Sequence, residues 1–139
     1  MKLIVDYNLS NEIRDVKRIL KEKDFWQEHG YDPSLPVGAK IGDEFNEKIA
    51  ELVKKEFSDY ENDYLGAKEK ILRDWKDKGQ KIISALNSCD LANYPILEKI
   101  NVILTRYGPG GSYWLPNRVV VKIYNEKRDI LETIVHEIV

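Results

Sequence analysis

The sequence predicts an α+β fold: an N-terminal helical layer packed on a small sheet, followed by a last helix at the C-terminus that lies against the sheet. Three observations carry this expectation. Apolar residues recur at helical spacing between Ile13 and Leu86. Two apolar, β-branched runs follow, at 100–107 and 118–123. The chain then finishes on an amphipathic stretch beginning at Asn125. With 139 residues, 42% of them hydrophobic and 33% charged, residues 1–139 read as one domain with a real core.

Taken in order, Leu3 to Tyr7 reads as a short strand, apolar and β-branched at its centre. Ser10 is placed to cap a helix with Glu12 in its first turn, and Ile13, Val16, Ile19 and Leu20 form its apolar stripe. That helix is expected to stop at His29-Gly30, and residues 30–38 are loop by composition. Asp43 opens a second helix with Phe45, Ile49, Leu52, Val53 and Phe57 on one face. A third carries Tyr64, Ile71, Leu72, Trp75, Ile82, Ile83 and Leu86, with Gly66 and Gly79 as weak points in its continuity. Acids exceed bases from Asp43 to Asp63 and bases exceed acids from Lys68 to Lys81. Such runs read either as partner-facing surfaces or as an antiparallel pair whose charges face each other or water.

Beyond Asp90 the texture changes. Ile100 to Tyr107 reads as a strand, Gly108-Pro109-Gly110-Gly111 as a turn, and Ser112 to Leu115 as a short extended piece ending at Pro116. The turn lacks the Gly-Lys-Ser/Thr ending of a phosphate-binding loop. Arg118 to Ile123 is the clearest strand, and Asn125 is the expected cap of the last helix.

A formal net charge of −2 argues against a nucleic-acid partner, which calls for a basic excess. The single cysteine, Cys89, permits no internal disulfide and reads as an ordinary small residue near a helix end. The apolar run at the N-terminus ends at Asp6, too soon for a signal peptide, and no stretch is long enough to span a bilayer, so a cytoplasmic location is expected. His29 reads as a helix C-terminal residue favoured by the dipole rather than as a metal ligand.

On a helical wheel the terminal stretch divides sharply. Ile130, Leu131, Ile134, Val135 and Ile138 fall within an arc of about 140°, with Val139 at its edge. His136 lies roughly opposite that arc, and Thr133 and Glu137 share its polar side. A helix that buries one face and presents His-Glu on the other has the geometry of the H-E-x-x-H motif. There, two histidines one turn apart bind zinc and the intervening glutamate activates water.

Tyr113-Trp114-Leu115-Pro116-Asn117-Arg118-Val119-Val120-Val121-Lys122-Ile123, and then Leu131-Glu132-Thr133-Ile134-Val135-His136-Glu137-Ile138-Val139, resemble the zincin superfamily of zinc metallopeptidases. The resemblance covers about the last thirty residues. It implies that His136 is a zinc ligand, that Glu137 is the catalytic base, and that the cofactor is zinc. The substrate would be a peptide or protein, bound by β-addition along a rim strand at Arg118 to Ile123, with Tyr113, Trp114, Val119 and Val121 lining the cleft. The second histidine would be the residue after Val139 and the third ligand lies further on. The chain is accordingly expected to be the N-terminal part of a longer peptidase, without tight zinc or activity of its own. Tyr107, Tyr113 and Trp114 also fit plain core or edge packing. The rival reading is a non-enzymatic interaction domain that holds a partner with the helical pair 43–88.

Overall fold

A computed structural model of the chain describes residues 1–88, 98–124 and 128–138. Several helices pack around a small four-stranded sheet. The elements are β1 (Lys2–Asp6), α1 (Leu9–Lys21), α2 (Lys23–Glu28), a 3-10 turn (Asp43–Phe45), α3 (Lys48–Asp59), α4 (Glu61–Ser88), β2 (Lys99–Thr105), β3 (Gly111–Trp114), β4 (Arg118–Lys122) and α5 (Ile130–Ile138). Strand order is β1-β2-β4-β3. The first three run parallel and β3 pairs antiparallel with β4.

Each strand has two sides because side chains alternate with period two. Leu3, Val5, Ile100, Val102, Leu104, Val119 and Val121 all point to one face, where Tyr64 and Ile71 of α4 and Leu131 and Ile134 of α5 seal them from water. This is the larger core. The expected burial of Ile130, Ile134 and Ile138 holds, with Ile134 fully buried and the other two packed partly buried at its margin. A second core joins Val16, Ile19 and Leu20 of α1 to Ile49 and Val53 of α3, with Tyr107 plugged between them.

Several expected boundaries move for local reasons. The N-cap of α1 is Asn8, not Ser10: its side chain accepts the Asn11 amide at 3.1 Å, a bond available only outside the helix. The first helix breaks at Glu22 into α1 and α2, and it does end at His29, whose Nδ1 donates to the Phe25 carbonyl at 2.8 Å. Gly30 follows at φ 78°, the left-handed turn that a glycine allows. Asp43 opens only a 3-10 turn, and α3 starts at Lys48, so Phe45 leaves the helical face and is 81% exposed. By contrast α4 runs unbroken through Gly66 and Gly79.

The helices from 43 to 88 are not an antiparallel pair. They meet at their junction, where the Phe57 and Tyr64 rings lie 5.2 Å apart, and then diverge: α3 packs on α1, and α4 on β1 and α5. Among the described residues no ion pair joins the acidic stretch 43–63 to the basic stretch 68–81. Lys70 instead bridges Asp74 at 2.7 Å and Asp129 at 2.9 Å, tying α4 to the start of α5. Also among the described residues, no helix is long and apolar enough to cross a membrane. Cys89, Asn125 and Val139 lie outside the described residues.

Candidate functional site

The last helix is set in place from its first residue. An Asp129 carboxylate oxygen accepts the Leu131 amide at 2.9 Å, and the Asp129 main-chain carbonyl accepts both the amide and the hydroxyl of Thr133, at 3.0 and 3.1 Å. Asp129 is thus the N-cap of α5. Its hydrogen bond from Lys70, together with those from the Leu131 and Glu132 amides, holds its carboxyl below the ordinary aspartate range. With the apolar face of α5 buried against β4 and β3, His136 is left exposed and Glu137 half-buried.

What Glu137 lies against is decided by a glycine. A Cβ on Gly111 would stand 2.9 Å from Thr133 Cγ2 and 3.1 Å from both Cγ and Oε1 of Glu137. Only a residue without a side chain lets β3 approach α5 this closely. The Glu137 carboxylate therefore sits directly beside the main chain of β3.

That strand is one of the two edges of the sheet, β1 being the other, and its hydrogen bonding shows which groups it leaves open. The Lys122 amide donates to the Gly110 carbonyl at 2.7 Å. In the antiparallel register Gly111↔Val121, the bonded pairs are therefore Gly110–Lys122, Ser112–Val120 and Trp114–Arg118. The amides and carbonyls of Gly111 and Tyr113 point the other way, to an edge with no partner strand among the described residues. On its other side β4 bonds β2: the Asn101 amide donates to Asn117 at 2.9 Å and the Ile123 amide to Thr105 at 2.8 Å. This parallel ladder consumes the main-chain groups of Val119 and Val121.

The rim strand expected at Arg118 to Ile123 is thus interior. Val119 and Val121 are fully buried core residues with no surface to offer a substrate. The edge on the α5 side of β4 belongs to β3. Of the two aromatics, Tyr113 faces the α5 side, packs partly buried on the larger core, and donates its hydroxyl to the Pro116 carbonyl at 2.6 Å. Trp114 faces the opposite side, exposed, with its indole N–H donated to Ser112 Oγ at 2.9 Å. The structure therefore brings Glu137 to the sheet edge, keeps His136 on the open side of α5, and separates the pair from Trp114. Gly111 had read as one residue of a turn. Its position in a strand facing a helix leaves no mark in the local composition.

Zinc would need more than these residues supply. His136 offers one imidazole, and among the described residues no three His, Cys, Asp or Glu side chains gather into a group able to hold a metal ion.

A second polar cluster, unforeseen in the sequence, sits at the carboxyl end of β2. Glu12 is fully buried, and its Oε2 accepts the Tyr64 hydroxyl at 2.6 Å and the Arg106 amide at 3.2 Å. Burial pushes its carboxyl above the usual range, outweighing the hydrogen bonds that pull it down. Beyond it, Arg106 pairs with Glu56 at 3.3 Å and stacks on Tyr60 at 3.5 Å from the ring centroid, and Tyr107 donates to Glu56 at 3.1 Å. Burial raises the phenols of Tyr64 and Tyr107 as well. A hydrogen-bonded cluster of this kind locks helices onto a strand end, although Glu12 Oε1 and Arg106 Nε are buried in it without a partner among the described residues.

Comparison with known proteins finds no family model, no curated protein and no solved structure that matches this chain.

Proposed function

We propose that α5 is the active-site helix of a zinc-dependent peptidase, with His136 as a metal ligand, Glu137 as the base that takes a proton from the attacking water, and β3 as the strand on which the substrate is laid. One observation carries the reading: the carboxylate of the His-Glu pair lies beside the only glycine of a free strand edge, at Gly111. A general base must stand within hydrogen-bond reach of the water it deprotonates, next to the scissile bond. A peptide added to β3 would hydrogen-bond Gly111 and Tyr113, and its main chain would pass over Glu137. The Lewis acidity that polarises the scissile carbonyl belongs to zinc when bound. His136, exposed on the same helix, presents one ligand, and a histidine directly after Val139 would stand one turn on along the same face.

The coding sequence past Val139 and a zinc measurement test this together. The reading requires a histidine as the next residue, one zinc per protein in the continued chain, and loss of that zinc in His136→Ala. A different residue at that position, or full zinc content in His136→Ala, removes the basis for the assignment.

A further inference from the structure

A cleft of about 310 Å³ lies between α1 and the open face of the sheet, on the side away from α5. Three arginines converge there from two distant parts of the chain. Arg14 and Arg18 come from one face of α1, four residues apart, and Arg118 comes from β4. They face one carboxylate, Asp15, so the cleft is left with an excess of positive charge. Among the described residues none of the three guanidiniums is ion-paired. Arg14 donates to the Asn11 amide oxygen at 2.9 Å, and Arg18 and Arg118 lie 5.0 and 5.6 Å from the ring centroid of Trp114. Two like charges are thus held at one indole ring. In the recess that continues from this cleft, Arg18 Nε and Trp26 Nε1 are both buried without an acceptor among the described residues. Asp15 lines both recesses and attracts all three arginines at longer range, but it is one charge against three. Buried donors normally have partners, and unmet donors beside this net excess of cations ask for a further anion.

The cleft is not separate from the strand edge. Trp114 belongs to β3 and forms part of the cleft wall. A peptide added to β3 sends alternate side chains to opposite faces of the sheet, so every second one would enter on the Trp114 side. From these observations we infer that the cleft is a specificity pocket for acidic side chains, and that the chain takes extended peptides carrying Asp or Glu at alternate positions. Arg18 and Arg118 would bind each carboxylate, with Trp114 as the apolar wall along its stem. This rests on the edge-strand reading of β3 and adds to it the class of substrate.

Binding to the 139-residue chain is the test, since it needs neither zinc nor hydrolysis. A short labelled peptide with glutamate at alternate positions is compared, by fluorescence anisotropy at low salt, with the same peptide carrying glutamine. The acidic peptide should bind at least about tenfold more tightly, and the preference should shrink as salt is raised. Arg18→Gln should cut the preference for the acidic peptide several-fold. Arg14→Gln, at an exposed helical position, provides a second variant whose folding is secure. Equal binding of the two peptides overturns the acidic pocket and leaves the strand edge standing. An undiminished preference in both variants also overturns the pocket. Binding of neither peptide removes the strand-edge reading and the pocket with it.

Discussion

Substituting Gly111 by alanine probes the contact on which the site depends. The added Cβ would meet Thr133 Cγ2 at 2.9 Å and Glu137 Cγ at 3.1 Å. Carbon atoms prefer roughly 3.5–4.0 Å, so strand or helix must give by more than half an ångström. Thr133 is buried and fixed by its bond to Asp129, so the helix cannot turn that methyl aside freely. Overpacking of this kind costs about 1–3 kcal/mol. The lower chain entropy of alanine returns at most about 1 kcal/mol. A net loss of about 1–2 kcal/mol is expected, seen as a melting temperature lower by roughly 3–10 °C. Thr133→Ser removes the clashing methyl while keeping the hydroxyl, so the two substitutions should couple. Urea denaturation of both single variants and the double should show the double less destabilised than the two losses combined, by at least about 0.5 kcal/mol. If Gly111→Ala changed stability by less than about 0.5 kcal/mol, or the two effects simply added, β3 and α5 would not be in the contact described.

Glu12 gives a pH test. Its folded pKa lies above the unfolded one because burial disfavours the charge. The unfolded chain therefore loses this proton first as pH rises, and stability falls from about pH 4.5 upward until the folded group also ionises. Glu12→Gln should remove that decline, so the difference in urea midpoint between variant and wild type should shift in the variant's favour between pH 4 and 8; a constant difference would refute it. Asp129→Ala should lose the cap of α5, about 0.5–2 kcal/mol, and speed amide exchange at Leu131. Asp129→Asn keeps an acceptor and should stay close to wild type, because the ion pair to Lys70 that it gives up is exposed; equal losses in the two variants would show that charge, not capping, holds the helix.

Local pattern made some parts of this molecule legible and hid others. The β-branched run from Arg118 and the isoleucines of α5 announced a strand and a helix packed on it, because period-two and period-3.6 burial are written in neighbouring residues. The positions of Asn8 and Asp129 as caps were misread or missed, since several polar residues stand within reach of each helix start and only the fold selects one. Strand order was hidden altogether. An apolar run announces burial, not which neighbours flank it, so β4 looked like a rim although β2 and β3 enclose it. The arginine cleft combines both cases. Asn11, Arg14, Asp15 and Arg18 fall at i, i+3, i+4 and i+7 and so share a helical face, but Trp114 and Arg118 reach them only through the sheet. Phe45 went wrong for a simpler reason: an aromatic at helical spacing buries only if the helix has already begun.

The central claim is that Glu137 serves as a base at the edge of β3. Its most direct test is Glu137→Gln in the protein continued past Val139, with zinc content and peptide hydrolysis measured on the same sample. Glutamine keeps the size of the side chain and its fit beside Gly111 but cannot accept the proton as a base. The expected result is unchanged zinc and hydrolysis reduced at least about a hundredfold. Full hydrolysis in Glu137→Gln would contradict the claim.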